Sequence, residues 1–152
     1  MYSKILVPLD DSRASKRGLD EAIGLAARLD ATLHLLNVVD ARLLIGAVSA
    51  FSPPDQLIQD WREAGQGLLS RAHERAREKR VASDTAVRCD PAMRVCDLIV
   101  DEARRCGAGL IVMGTHGRRG LKRVALGSDA ELVVRDSPVP VLLVRDDESS
   151  ED

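Results

Sequence analysis

MGTHGRRGLKRVALGS, residues 113–128, is the stretch whose reading decides the fold. Four apolar residues, Leu110, Ile111, Val112 and Met113, run straight into it. An apolar run that ends in glycine reads as a buried strand opening into a loop. Gly114 and Gly117 are separated by two residues, Gly117 and Gly127 by nine, and Ser128 follows at once. Glycines let a backbone approach a ligand closely and reach positive φ angles closed to other residues. Ser128, ahead of a new apolar pattern, is placed to cap a helix whose free N–H groups attract anions. The stretch therefore reads as a phosphate cradle at the end of a strand.

The pattern extends outward from there. Ile5-Leu6-Val7-Pro8-Leu9 is apolar on both faces, as in a strand covered by helices on each side, and Asp10, Asp11 and Ser12 end it. A helical stripe follows in Leu19, Ala22, Ile23, Ala26 and Leu29, then a second strand over Thr32–Val39. Asp40–Pro54 reads as a long loop with one helical turn. Residues 55–80 read as a helix, with Leu57, Trp61, Ala64, Leu68 and Ala72 at helical spacing. A weak third strand is expected over Thr85–Cys89. Asp90-Pro91 then opens a helix with Val95, Leu98, Ile99, Ala103 and Cys106 inside. Leu110–Met113 is the fourth strand, residues 128–135 a short helix, and Val139–Val144 the fifth strand. Such alternation predicts an α/β domain over residues 1–145, with an open parallel sheet and helices on both faces. Residues 146–152, DDESSED, read as a solvated, disordered acidic tail.

Composition removes several function classes. With 152 residues, 45% hydrophobic and 30% charged, the chain is long enough for one core without staples. A net charge of −2 argues against coating nucleic acid or an anionic membrane, and single Trp, Tyr and Phe residues leave almost nothing for base stacking. Cys89, Cys96 and Cys106 form no C-x-x-C pair, which fits a reducing compartment. With no N-terminal apolar segment and no long apolar run, the expected location is the cytoplasm. The P-loop, the G-x-G-x-x-G fingerprint, the G-x-S-x-G elbow and the H-E-x-x-H zinc motif are all absent from the sequence.

In open parallel sheets, ligands sit beyond the carboxyl ends of the strands where strand order reverses. If the first and fourth strands are neighbours, the loop at Pro8–Ser12 meets the glycine loop there. A carboxylate beside a phosphate cradle makes sense if it holds Mg²⁺ or bonds a nucleotide, and Asp10 follows the strand end most closely.

At this point the sequence resembles the universal stress protein family. The resemblance runs from KILVPLDDS (Lys4–Ser12) through LHLLNVVD (Leu33–Asp40) to VPVLLVR (Val139–Arg145). Its most specific part is the pattern G-2x-G-9x-G-[ST], complete as Gly114, Gly117, Gly127 and Ser128, which in the family marks the ATP-binding branch. The resemblance implies a three-layer Rossmann-like fold with five parallel strands in the order 3-2-1-4-5. It also implies ATP with Mg²⁺, and a homodimer joined through the last strand, Val139–Val144. Position by position, Pro8, Leu9 and Asp10 would line the adenine and ribose side, with Asp10 serving the metal. Val38 would offer backbone groups to the base. Met113, Gly114, Gly117, Arg118, Gly127 and Ser128 would wrap the ribose and phosphates, with Asp129 at the rim. Asp129 departs from the apolar or neutral residue usual there. A carboxylate at a helix start suits the dipole but repels phosphate unless it faces away or touches the metal. Gly109 stands where the family usually has Asp.

Several features take plainer readings. Arg119, Lys122 and Arg123, with Arg118, make a basic loop that is solvated residue by residue. His116 lies between two of the glycines with no acid or nucleophile beside it in sequence, so no catalytic role is expected. His34 and His73 read as structural, and the cysteines as packing residues. RAHERAREKR (Arg71–Arg80) holds i,i+3 pairs, Arg71/Glu74, Glu74/Arg77 and Arg75/Glu78, the mark of a solvated helix face. An apolar last strand at a sheet edge calls for pairing with a second copy. The function implied is a nucleotide-dependent regulator or sensor in the stress response with an unknown protein partner, and at most slow ATP hydrolysis. Two alternatives stand beside it: an enzyme that uses ATP to activate a small substrate, and a nucleotide-free dimeric interaction scaffold.

Overall fold

The apolar runs pair into one parallel sheet built of β1 (Lys4–Pro8), β2 (Thr32–Val38), β3 (Ser83–Arg88), β4 (Leu110–Gly114) and β5 (Val141–Val144). Their order is β3-β2-β1-β4-β5, as the family resemblance implies. The computed structural model describes residues 1–47, 54–116 and 126–146. Between the strands lie α1 (Arg13–Leu29), α2 (Ala41–Ala47), α3 (Pro54–Glu78), α4 (Val95–Cys106) and α5 (Ser128–Asp136).

Strand alternation divides the core in two. Ile5, Val7, Leu33, Leu35, Leu110 and Val112 point to one face, where Leu19, Ala22 and Ile23 of α1 and Leu69, Ala72 and Ala76 of α3 cover them. Leu6, Leu36, Ile111 and Met113 point to the other, against Cys96, Ile99 and Ala103 of α4 and Ala130 and Val133 of α5. Both faces of the central strands are thus buried, which is why their sequences are apolar without alternation. Because α1 and α3 cover one face and α4 and α5 the other, winding reverses at β1 and β4, the switch where ligands enter such sheets.

Four local expectations are corrected. Asp40 is more than a strand end: its Oδ1 accepts from Leu43 N–H at 3.2 Å, a cap that turns the start of the expected loop into the seven-residue α2. Asp90-Pro91 does not open α4. The Asp90 carboxylate bonds the N–H of Ala92 at 2.8 Å, giving a turn, and the helix starts at Val95 behind Arg94, whose N–H donates to Asp97 at 3.3 Å. The fifth strand begins at Val141, not Val139, since Pro140 has no N–H to give and contributes its carbonyl to Ile111. On α3, Glu74 pairs with Arg77 as expected, but Arg75 reaches across to Asp20 of α1 at 2.6 Å. Residues 48–53, the nine-residue spacer except Leu126, and residues 147–152 of the acidic tail lie outside the described residues.

Candidate functional site

The end of β1 is fixed before any ligand is considered. Leu9 N–H donates to Leu36 O at 2.8 Å, continuing the ladder one step beyond the strand. Asp10 Oδ1 accepts from Ser12 N–H at 3.0 Å, an Asx turn that bends the chain toward α1. Asp11 takes φ 66°, a left-handed conformation that aspartate tolerates better than most residues, and Lys16 pairs with its carboxylate at 3.0 Å. Ser12 then caps α1, its Oγ accepting from Ser15 N–H at 3.1 Å.

β4 delivers the glycine stretch beside this turn. Ser12 Oγ donates to His116 O at 3.4 Å, so the loops after β1 and β4 touch. Gly114 lies directly on the first turn of α1: a Cβ built there would stand 2.7 Å from Ala14 C and 2.9 Å from Ser15 N. Gly127 returns the chain to the same place, donating its N–H to Thr115 O at 2.8 Å, and a Cβ on it would meet that carbonyl at 3.0 Å. Neither glycine adopts positive φ; Gly127 has φ −59°, and Gly107, outside the motif, is the glycine that does among the described residues. Positive φ is therefore not what these two glycines supply. Their missing Cβ admits α1 and the Thr115 carbonyl, which hold the two ends of the intervening loop together.

Ser128 does not cap α5. Gly127 is the N-cap, with no side-chain cap bond, and Ser128 is the first helical residue. Gly127 brings no capping side chain to the leading N–H groups of α5, the kind of donors that attract anions at a helix start. Asp129 and Glu131 occupy the first turn, where carboxylates suit the dipole. The Asp129 side chain is exposed, and its charge reaches the Cys96 thiol on α4. Burial, foremost, and the neighbouring Asp97 push that thiol above its ordinary pKa, and burial does the same for Cys106. Both are held as packed thiols, not nucleophiles.

Of the residues singled out in the sequence, Pro8, Leu9, Asp10, Met113, Gly114, Gly127 and Ser128 gather around the β1–β4 crevice, with Val38 one strand away. Leu9 and Met113 have buried side chains in the two cores, so they can offer a ligand only backbone. Gly117 and Arg118 lie outside the described residues. A groove of about 230 Å³ between α1 and α3 reaches Leu9 and Ser15 from the α3 side and is rimmed by Lys16, Arg71 and Arg75.

Sequence reasoning missed a polar cluster under α4. His34, in the middle of β2, is buried with both ring nitrogens against carboxylates: Nδ1 meets Asp84 of β3, and Nε2 meets Glu102 of α4 at 2.9 Å. Arg88 also holds Glu102, and bonds Asp101 at 3.0 Å. Burial works against its charge, but the hydrogen bonds to Glu102 and Asp101 hold the Arg88 guanidinium above its ordinary pKa. The signal was present as a charged residue, Glu102, on the inner stripe of a helix. Among the described residues, no group of three His, Cys, Asp or Glu side chains is arranged to hold a metal ion, and no helix is long and apolar enough to cross a membrane.

Comparison with known proteins gives a consistent result. The profile of the universal stress protein family matches residues 1–145. The universal stress protein YxiE of Bacillus subtilis is 35% identical over 154 residues, covering 95% of this chain and all of that one. Among solved structures, a universal stress protein family member from Burkholderia pseudomallei is 34% identical with a TM-score of 0.77, covering 94% of this chain and 96% of its own. Another universal stress protein, solved in complex with cAMP, is 25% identical with a TM-score of 0.70, covering 94% of this chain and 97% of its own.

Proposed function

The chain belongs to the universal stress protein family, and from that premise we propose that it is an ATP-binding member, a regulator in the stress response whose bound nucleotide sets its state. The observation that carries this reading is the Gly127–Thr115 closure. It brings the start of α5 to the end of β4, beside the Leu9–Ser12 turn, at the switch point of the sheet. The leading N–H groups of α5 and the backbone around Gly114 would hold the phosphates. Pro8, Leu9, Asp10 and Val38 would take the ribose and base, with Gly117 and Arg118 completing the phosphate side. That a relative of the same fold was solved with cAMP supports an adenine nucleotide as the ligand class.

The donor set fits Mg²⁺ in a limited way. Asp10 is the carboxylate at the strand end, and one of its oxygens already accepts from Ser12 N–H. Mg²⁺ is commonly held by one or two carboxylates together with substrate phosphates, so Asp10 would supply one ligand and the nucleotide most of the rest. The ion would neutralise phosphate charge near that carboxylate. We assign no general base, and any hydrolysis of ATP would be slow. The copies would join through β5, an edge strand bearing Val141, Leu142, Leu143 and Val144.

Thermal denaturation of nucleotide-free protein tests the reading. A ligand that binds only the folded state adds about 2.7 kcal/mol at one hundred times its Kd, and for a chain of this size that raises Tm by roughly 5–11 °C. An unchanged Tm at millimolar Mg·ATP overturns the proposal.

A further inference from the structure

Asn37 stands where β2 would ordinarily bury an apolar side chain. Leu33 and Leu35 on the same face are fully buried, and alternation brings Asn37 to that face two residues later. Its Nδ2 donates to the Leu9 carbonyl at 2.8 Å. The room for it comes from α3. A Cβ built on Gly65 would stand 2.9 Å from Asn37 Cγ and closer still to Oδ1, so an alanine at 65 and this placement of the amide exclude each other. Glycine is unfavourable inside a helix. Here its effect is to seat the Asn37 side chain.

The backbone shows what the seated amide replaces. Pairing of β1 with β2 runs to Pro8–Leu36 and is continued by Leu9 N–H donating to Leu36 O. In a parallel ladder the next rung would carry Val38 N–H to Leu9 O. The Leu9 carbonyl accepts from Asn37 Nδ2 instead. Alternate residues of β2 turn their peptide groups to opposite neighbours. Leu33 and Val39 donate to Ala82 O and Arg88 O on the β3 side, so the N–H and C=O of Val38 both face the β1 side, level with the point where β1 leaves the sheet.

We infer that Asn37 is a positioning residue for base recognition: seated against Gly65, it takes over the rung to Leu9 and leaves the Val38 peptide to read the edge of a purine. This rests on the nucleotide reading above. One N–H beside one C=O matches adenine, which presents an acceptor, N1, next to the N6 amino donor. Guanine presents the reverse order, the O6 acceptor next to the N1–H donor, and would set like groups against each other. The site so built prefers adenine, and the preference depends on a side chain that makes no contact with the base.

The test measures Kd for Mg·ATP, Mg·GTP and inorganic tripolyphosphate on wild-type protein, Asn37→Asp, Gly65→Ala and the double variant, with circular dichroism confirming the fold of each. Asn37→Asp presents a carboxylate that cannot donate to the Leu9 carbonyl. Gly65→Ala displaces the amide without changing it, and only the flexible tip of Asn37 has to move. Each single variant is expected to bind ATP about fivefold more weakly and to lose ATP-over-GTP preference by the same factor, with tripolyphosphate unaffected. The double variant loses nothing further, since both changes break one contact. Wild-type ATP affinity and preference in either folded variant overturns this inference alone, and so does an equal loss for tripolyphosphate, which would mark Asn37 as merely structural. Wild-type protein that binds none of the three ligands overturns the nucleotide reading as well.

Discussion

Replacing Gly114 by alanine tests the packing that builds the site. The new methyl would stand 2.7 Å from Ala14 C, 2.8 Å from Ala14 Cβ and 2.9 Å from Ser15 N. Two of those atoms are backbone in the first turn of α1, and no rotamer change removes them. Either β4 or α1 must shift, and overpacking of this kind costs about 1–3 kcal/mol. At roughly 2–4 °C per kcal/mol for a chain of this length, Tm falls by about 2–12 °C. Gly24→Ala is the matched control. That glycine lies in the middle of α1 with no atom within 4 Å of a built Cβ, so alanine there gains about 0.5–1 kcal/mol of helix stability and raises Tm by about 1–4 °C. Melting curves of both variants without nucleotide, checked for two-state behaviour, make the comparison. A Gly114→Ala protein that melts with or above wild type refutes the account of why this glycine is needed.

Two other perturbations follow from the geometry. Glu102→Ala leaves His34 and Arg88 facing a buried gap, and breaking such a buried ionic contact costs about 3–5 kcal/mol, read as a lower urea midpoint at unchanged m-value. If β5 joins two copies, wild-type protein sediments at twice the chain mass and Leu142→Lys, which puts a charge on an exposed position of that edge strand, shifts it toward monomer. A wild-type monomer, or a variant that still dimerises, removes β5 as the interface.

The sheet was legible because burial on both faces leaves a signal that needs no partner. KILVP, TLHLLNV and LIVMG are apolar runs bounded by turn residues, and their order followed from the family resemblance. Less could be read of α2, since an aspartate that ends a strand and one that caps a helix look alike until a following N–H is seen to bond it. The motif glycines show a deeper limit. A glycine that admits a phosphate and one that admits a neighbouring helix are the same letter, and only the structure shows that Gly114 and Gly127 make room for other parts of the chain. His34, Asp84 and Glu102 are far apart in sequence, so the cluster had no local signature beyond His34 and Glu102 standing where the pattern called for apolar residues.

The two polar interruptions of β2 have a common consequence. An apolar pattern alone fixes a strand against a one-residue slip, which would exchange its faces, but resists a two-residue slip only weakly. In TLHLLNV, a two-residue slip would keep His34 and Asn37 on their own faces and carry each about 6.6 Å along the sheet. His34 would then lose Asp84 and Glu102, and Asn37 would lose both Leu9 and the notch at Gly65. A buried hydrogen bond adds little net stability, but leaving a buried polar group without its partner is expensive, and that difference penalises the slipped register. One polar residue on each face therefore locks β2 where Val38 lies two residues past the last rung with β1. The proposed adenine side of the site would then be set by ladder register, through His34 and Asn37.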